Sequence, residues 1–399
     1  MDEYKEMIKN FYNRQAALFK CFGAWELSSS RPKYLRAVHR LYFWHFLIFG
    51  VFLFEVLMIL QIITNADDMD EIIKVFFMLA PSIAVVGKCL TIKLKIKDFK
   101  NLFKLMLNVN YLPENRHEKD IFVKYIKLSQ TVRDYYGGLS ISSLVTMFLT
   151  QYLNASDELP VPIFVPFEMN TSWKFNFVYF YQCLSLSILC LVNVSFDTLS
   201  TTLFIHLRSQ LDILAYRLEN IDQHVKTFKT DGGVTRQLKD CIRYYNRIRA
   251  LSLDIEYLVS IPITIQISCS VFVLIANFYF ISLVSLCFIV YFYLQCESKY
   301  MSEIVLQLSV TEEMAEFGRI ALYQVCMLAQ VFILCYFPNE VTLKSGNISY
   351  NLYSSEWYNW NTFNRKLVLI IMLRFNVPIR ISSINPNYSF NLAGFTAVS

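Results

Sequence analysis

The sequence predicts an all-α fold, a polytopic helical membrane bundle of seven transmembrane spans with a cytoplasmic N-terminus. Three observations predict it. Hydrophobic residues make up 55% of the chain and charged residues only 17%, whereas soluble domains carry about 25% charged residues. Mean hydropathy is +0.37 over 399 residues. Apolar runs long enough to cross a bilayer, about 20 residues each, alternate with loops whose Lys/Arg content rises and falls regularly.

The spans follow in chain order. Residues 41–63 form the clearest run, with His45, Glu55 and Gln61 as its strongly polar members. Residues 72–92 follow, with Pro81 inside and Lys74 and Lys88 near the ends. Lysines so placed are read as snorkelling to the headgroups. Residues 139–153 suffice only if that helix starts upstream, near Tyr135. Residues 175–199, 258–280 and 320–337 are strong spans, and 367–373 is apolar but short. The run 279–294 extends the fifth span beyond the reach of a bilayer. It is read as an unusual outer segment, with an eighth span as the alternative.

Loop charge sets the orientation. Residues 1–40 form an N-terminal region with eight Lys/Arg, whereas residues 64–71 have none. Residues 206–257 have nine, and 154–174 only Lys174. Asn154 and Asn170 lie in N-x-S/T sequons in that outward loop and are candidate glycosylation sites. The chain thus divides into the N-terminal region, spans one to four over 41–205, a cytoplasmic hairpin over 206–257, spans five and six over 258–337, and a last region over 338–399. Within the hairpin, Leu207, Leu211, Leu214 and Leu218 recur at helical spacing. Either the hairpin is solvated, or this stripe is a packing surface for other subunits. The helices are expected to break at Thr230-Asp231-Gly232-Gly233.

No enzyme signature is present: HExxH, GxSxG, a P-loop and GxGxxG are all missing. The 10 Cys and 5 His show no metal-ligand spacing. No cofactor is expected, and no basic block suggests nucleic acid. Asn385-Pro386-Asn387-Tyr388 has the wrong spacing for the NPxxY of G-protein-coupled receptors. Glu55, mid-span, needs a buried partner or water. Aromatics gather at the predicted outer ends of the spans: Phe76 and Phe77, then Phe148 with Tyr152, Phe177 with Tyr181, and Tyr323 with Met327. The last three pairs are spaced i,i+4, so each shares a helix face. Together they suggest an apolar pocket for a small volatile organic ligand; a lipid-interface belt is the alternative.

The final third carries a more specific pattern. Cys335-Tyr336-Phe337-Pro338-Asn339-Glu340, Thr342-Leu343-Lys344-Ser345, Ser355-Glu356-Trp357-Tyr358, and Arg374 and Pro378 resemble the C-terminal signature of insect odorant receptors. The 159–167 loop, with Leu159-Pro160-Val161-Pro162, and Tyr179-Phe180-Tyr181-Gln182 resemble the same family. The resemblance implies a tuning subunit of an odorant-gated cation channel in the plasma membrane of a sensory neuron dendrite. It implies a hetero-tetramer with a shared co-receptor, an odorant pocket among spans two, three, four and six, and an anchor built from the later helices. Pro338 stands where the family usually has Gly, in an expected turn. The pore-lining half of span seven should begin near Leu392, so a chain ending at Ser399 is expected to carry a truncated last span. A gustatory receptor of the same superfamily is the runner-up. A secondary transporter, expected to show repeats and paired intramembrane charges, is the third reading.

Overall fold

A computed structural model describes residues 6, 17, 19–25, 31–67, 69–153, 159–221, 231–297, 303–385 and 387–393, with side chains described at all of these but 69, 70, 109, 151–153, 231, 232, 276, 277, 279–297 and 303–316. It is helical throughout. Among the described residues the only β pairing is a single bridge, Ser382 to Ser389.

Helix α1 (Lys33–Leu47) runs through a π-helical turn (Ile48–Phe52) into α2 (Leu53–Thr64). Then come α3 (Met69–Leu94), α4 (Ile96–Met106), α5 (Arg116–Leu153), α6 (Ser172–Glu219), α7 (Asp231–Glu297), α8 (Glu303–Gly346), the short α9 (Ile348–Tyr353) and α10 (Thr362–Phe375). Among the described residues, five helices are long and apolar enough to cross a membrane: Lys33–Thr64, Glu71–Leu94, Ser172–Glu219, Gly233–Ile275 and Phe317–Tyr353. The third predicted span is the second half of the 38-residue α5. The run 279–294 continues α7 as helix; its side chains lie outside the described residues.

The helices outlast the membrane. At about 1.5 Å per residue, the 48-residue α6 is roughly 70 Å long, more than twice a ~30 Å hydrocarbon core. Its second half carries the leucine stripe of the predicted hairpin. Leu207, Leu211, Leu214 and Leu218 are all fully buried. They pack within this chain, in a core shared with Leu238, Ile248 and Leu251 of α7. The stripe is therefore neither a solvated face nor a surface left for other subunits. The α6 helix lies at the centre of the bundle, touching α3, α5, α7, α8 and α9.

Pro338 makes no turn. It lies inside α8, which continues to Gly346. Beyond α10 the chain folds back as a small loop, with Ser383 N–H donating to Tyr388 O at 2.8 Å and Phe390 N–H to Ile381 O at 2.9 Å. Asn385 and Tyr388 sit in the turn of that loop, not in a helix.

Candidate ligand-binding site

A cavity of about 120 Å³ lies within the bundle between α3, α5, α6 and α8. Each helix offers it one stripe. On α3 these are Met78, Pro81, Ser82 and Val85; on α8, Tyr323, Cys326, Met327 and Gln330. Both sets follow i, i+3, i+4, i+7, the spacing of a single helix face. Tyr136, Ser140, Ser143 and Met147 line it from α5, and Leu186, Leu189, Cys190 and Asn193 from α6. The wall is mostly apolar, with hydroxyls from Ser82, Tyr136, Ser140, Ser143 and Tyr323 and amides from Asn193 and Gln330. Such a lining suits a small, mainly apolar molecule with a polar group.

Beside Asn193 stands a buried polar network. Lys88 of α3 and Asp197 of α6 form an ion pair at 2.6 Å, and both side chains are 0% exposed. Lys88 Nζ also donates to Asn193 Oδ1 at 2.5 Å. Asp197 Oδ2 accepts from Gln330 Nε2 at 2.6 Å and from the Tyr136 hydroxyl at 3.3 Å. Gln330 in turn accepts from Gln266 of α7 at 3.2 Å. One carboxylate thus ties four helices directly and a fifth through Gln330. Charges this deep persist only when paired and hydrogen-bonded. Lys88 is accordingly not a snorkelling lysine: its ammonium turns inward to a carboxylate instead of outward to headgroups. Glu55 is buried beside Ser82.

The residues singled out from the sequence are distributed as follows. Tyr323 and Met327 line the cavity. Phe148 is half-buried against the main core, and Phe77 packs on the smaller cluster around Met327. Phe76 is 42% exposed and Phe177 62% exposed, so both face outward. The Tyr181 hydroxyl donates to Phe49 O at 2.9 Å. The side chain of Tyr152, and Asn154 altogether, lie outside the described residues. Asn170 is exposed, and its amide donates to Glu168 at 2.8 Å. The cavity begins at Leu186 on α6, nine residues beyond Phe177, or roughly 13 Å deeper at 1.5 Å per residue. Asn193, Asp197, Tyr136 and Gln330 were missed. An Asp within one apolar run and a Lys within another were the available signal.

The Tyr179-Phe180-Tyr181-Gln182 stretch stitches the bundle at this end. Tyr179 donates to Phe148 O of α5 at 3.0 Å. Tyr181 reaches the π-helical turn, where Phe49 O is available; π-turns displace carbonyls from the regular ladder. Gln182, fully buried, exchanges two bonds with the backbone of Val161, at 3.1 and 2.8 Å. Phe164 N–H then donates to Leu57 O at 3.1 Å. The proline-rich loop is thereby folded back onto α2 and α6. Phe180 alone points outward, 69% exposed.

Comparison with known proteins decides the family. A sequence model described as 7tm Odorant receptor matches residues 68–311 and 300–399. The chain belongs to the odorant receptor family. Odorant receptor 46a, isoform A, of Drosophila melanogaster is 34% identical, over 98% of this chain and 95% of that one. Odorant receptor 94a of the same species is 23% identical over 96% and 93%. The fold resembles the insect olfactory receptor OR5 from Machilis hrabei, solved alone and with eugenol. Each has a TM-score of 0.79, with 14% and 15% identity, covering 99% of this chain and 96% of that one. The odorant receptors are receptors, not enzymes, and this chain is a membrane protein of that kind.

Glu340 and Lys344, from the C-terminal pattern that the sequence shares with the family, face the far end of α6. Glu340 pairs with Arg208 at 2.7 Å, and Lys344 with Asp212 at 3.2 Å. Tyr336 stacks on Phe332 at 5.2 Å, and Trp357 meets Tyr353 at 6.2 Å. Burial and the Asp212 carboxylate, which accepts from Tyr125, hold that phenol above its ordinary pKa, so it remains a donor. Ser345 Oγ accepts from Ile379 N–H at 2.8 Å, next to Pro378. Asn339 is half-buried and Arg374 exposed.

Proposed function

We propose that this chain is a tuning subunit of an odorant-gated, non-selective cation channel and that the cavity between α3, α5, α6 and α8 holds a small volatile ligand. The observation that carries the reading is the cavity itself: an apolar chamber with a few hydroxyls, in a chain of the odorant receptor family. The eugenol complex of OR5 supports a small aromatic molecule as the ligand type. Tyr323 and Met327 are ligand contacts in this reading. Seven spans, a cytoplasmic N-terminus, an outward 154–174 loop and glycans on Asn154 and Asn170 complete it. The partner is a co-receptor in a hetero-tetramer at the plasma membrane, and the Arg208–Glu340 region belongs to the anchor.

The intramembrane ion pair is a feature expected of transporters, yet family membership outweighs it. The test is whole-cell recording from cells expressing the chain with and without an odorant receptor co-receptor. Volatile-evoked cation current that requires both chains supports the reading. Volatile-driven uptake without current would replace it with transport.

A further inference from the structure

On the reading of the cavity as the ligand site, its wall also shows which chemical group it reads. Three polar side chains meet at the part of the wall that adjoins the network: Tyr136, Asn193 and Gln330. Two of them are committed. Tyr136 donates to Asp197, and Gln330 donates to Asp197 while accepting from Gln266. Asn193 is different. Its Oδ1 accepts from Lys88 Nζ. An ammonium only donates, so the amide must turn its oxygen to Lys88 and its NH2 away. Lys88 cannot release it cheaply, because it is fully buried and paired with Asp197 at 2.6 Å. Among the described residues no protein group accepts from the Asn193 NH2, and Asn193 lines the cavity.

We propose that Asn193 is the polar specificity residue of the cavity and donates an N–H to an acceptor oxygen of the ligand, the carbonyl or ether oxygen of a small molecule. Size narrows the class. An apolar protein cavity of about 150 Å³ holds benzene, so about 120 Å³ fits a single ring or a short chain. A ligand with an acceptor pairs this half-buried donor. A ligand without one covers the donor and leaves it unpaired, which is the costlier state. The ion pair acts as the positioning device: it fixes which end of the amide the ligand meets.

The test uses the full chain in phosphatidylcholine nanodiscs, with empty nanodiscs as blank. Benzaldehyde and styrene are near-isosteres that differ by carbonyl oxygen against methylene, and each is titrated calorimetrically. The wild type is expected to bind benzaldehyde roughly five-fold more tightly, the worth of one ordinary hydrogen bond. Asn193→Leu removes both the acceptor for Lys88 and the N–H, and Asn193→Ala does the same with a smaller side chain, while Lys88 keeps its pairing with Asp197. Each variant should bind the two probes equally while still binding styrene; the Ala variant serves if the Leu variant fails to fold. Met327→Trp fills the cavity and should abolish both. If both probes still bind Met327→Trp, the cavity is not the ligand site and the underlying reading fails. If Met327→Trp abolishes both but the wild type shows no preference, or the preference survives in Asn193→Leu or Asn193→Ala, the cavity stands and the role of Asn193 is overturned. Failure of the wild type to bind either probe overturns the ligand class.

Discussion

Arg208 of α6 and Glu340 of α8 form an ion pair at 2.7 Å, with both side chains less than one-fifth exposed. One turn further along each helix, Asp212 meets Lys344 at 3.2 Å. The signs are crossed, positive then negative on α6, negative then positive on α8. Two helices running in the same direction are thereby locked in one register, since a slip of one turn would bring like charges together.

This register gives the first prediction. Arg208→Glu and Glu340→Arg should each lower the stability of the purified protein by ~1.5–3 kcal/mol, the range for hydrogen bonds to charged groups. The double exchange should recover most of that loss. Melting curves of the four proteins check it. Additive losses in the double variant would show that the pair is not coupled.

The Lys88–Asp197 pair gives a second prediction. Removing one partner strands a buried charge, a loss of ~3–5 kcal/mol, while removing both can be nearly neutral. Lys88→Met and Asp197→Leu should each cut the yield of monodisperse protein severely. The double variant should restore much of it. Size-exclusion profiles of tagged protein read the result, and a double variant worse than either single one would contradict the account.

The third concerns the stitched loop. Gln182→Leu leaves the Val161 N–H and C=O without their partner, a local loss of about 2–3 kcal/mol. Hydrogen exchange over 159–167 should accelerate strongly, whereas Phe180→Leu, on the outward face, should leave it unchanged. Equal protection in both variants would mean that the loop is held by something other than Gln182.

The all-helical plan was legible because apolar runs of 18 to 25 residues are a strong signal. What lay beyond was harder. Lys88 sits a turn from the end of its apolar run, where a snorkelling lysine and a paired one look alike. Its partner is 109 positions away, and no local pattern reports so distant a pairing. The leucine stripe of Leu207 to Leu218 was visible, but its partner was not, because amphipathicity shows that a face is buried and not against what. Pro338 suggested a turn on resemblance, yet a proline inside a long packed helix is tolerated where neighbouring helices hold it.

The candidate site was half legible for a related reason. Aromatics at helix ends draw attention, but they serve as an outward belt at Phe177 and as a stitch at Tyr181. The cavity lies deeper, lined by Met, Leu, Cys and Ser in stripes that resemble ordinary packing. Among the described residues of the group first singled out, only the Tyr323–Met327 face of α8 lines it. Asn193 and Asp197 interrupt an apolar run one turn apart, which in retrospect marks a polar floor.

The central claim is that the cavity between α3, α5, α6 and α8, and not the outward aromatic face, receives the activating ligand. The most direct measurement compares dose–response curves of Met327→Trp and Phe177→Ala with wild type, each co-expressed with a co-receptor and matched for surface expression. The account predicts that Met327→Trp raises the half-activating concentration at least ten-fold, about 1.4 kcal/mol or more, and that Phe177→Ala leaves it unchanged. A normal curve for Met327→Trp together with a shifted one for Phe177→Ala would contradict it.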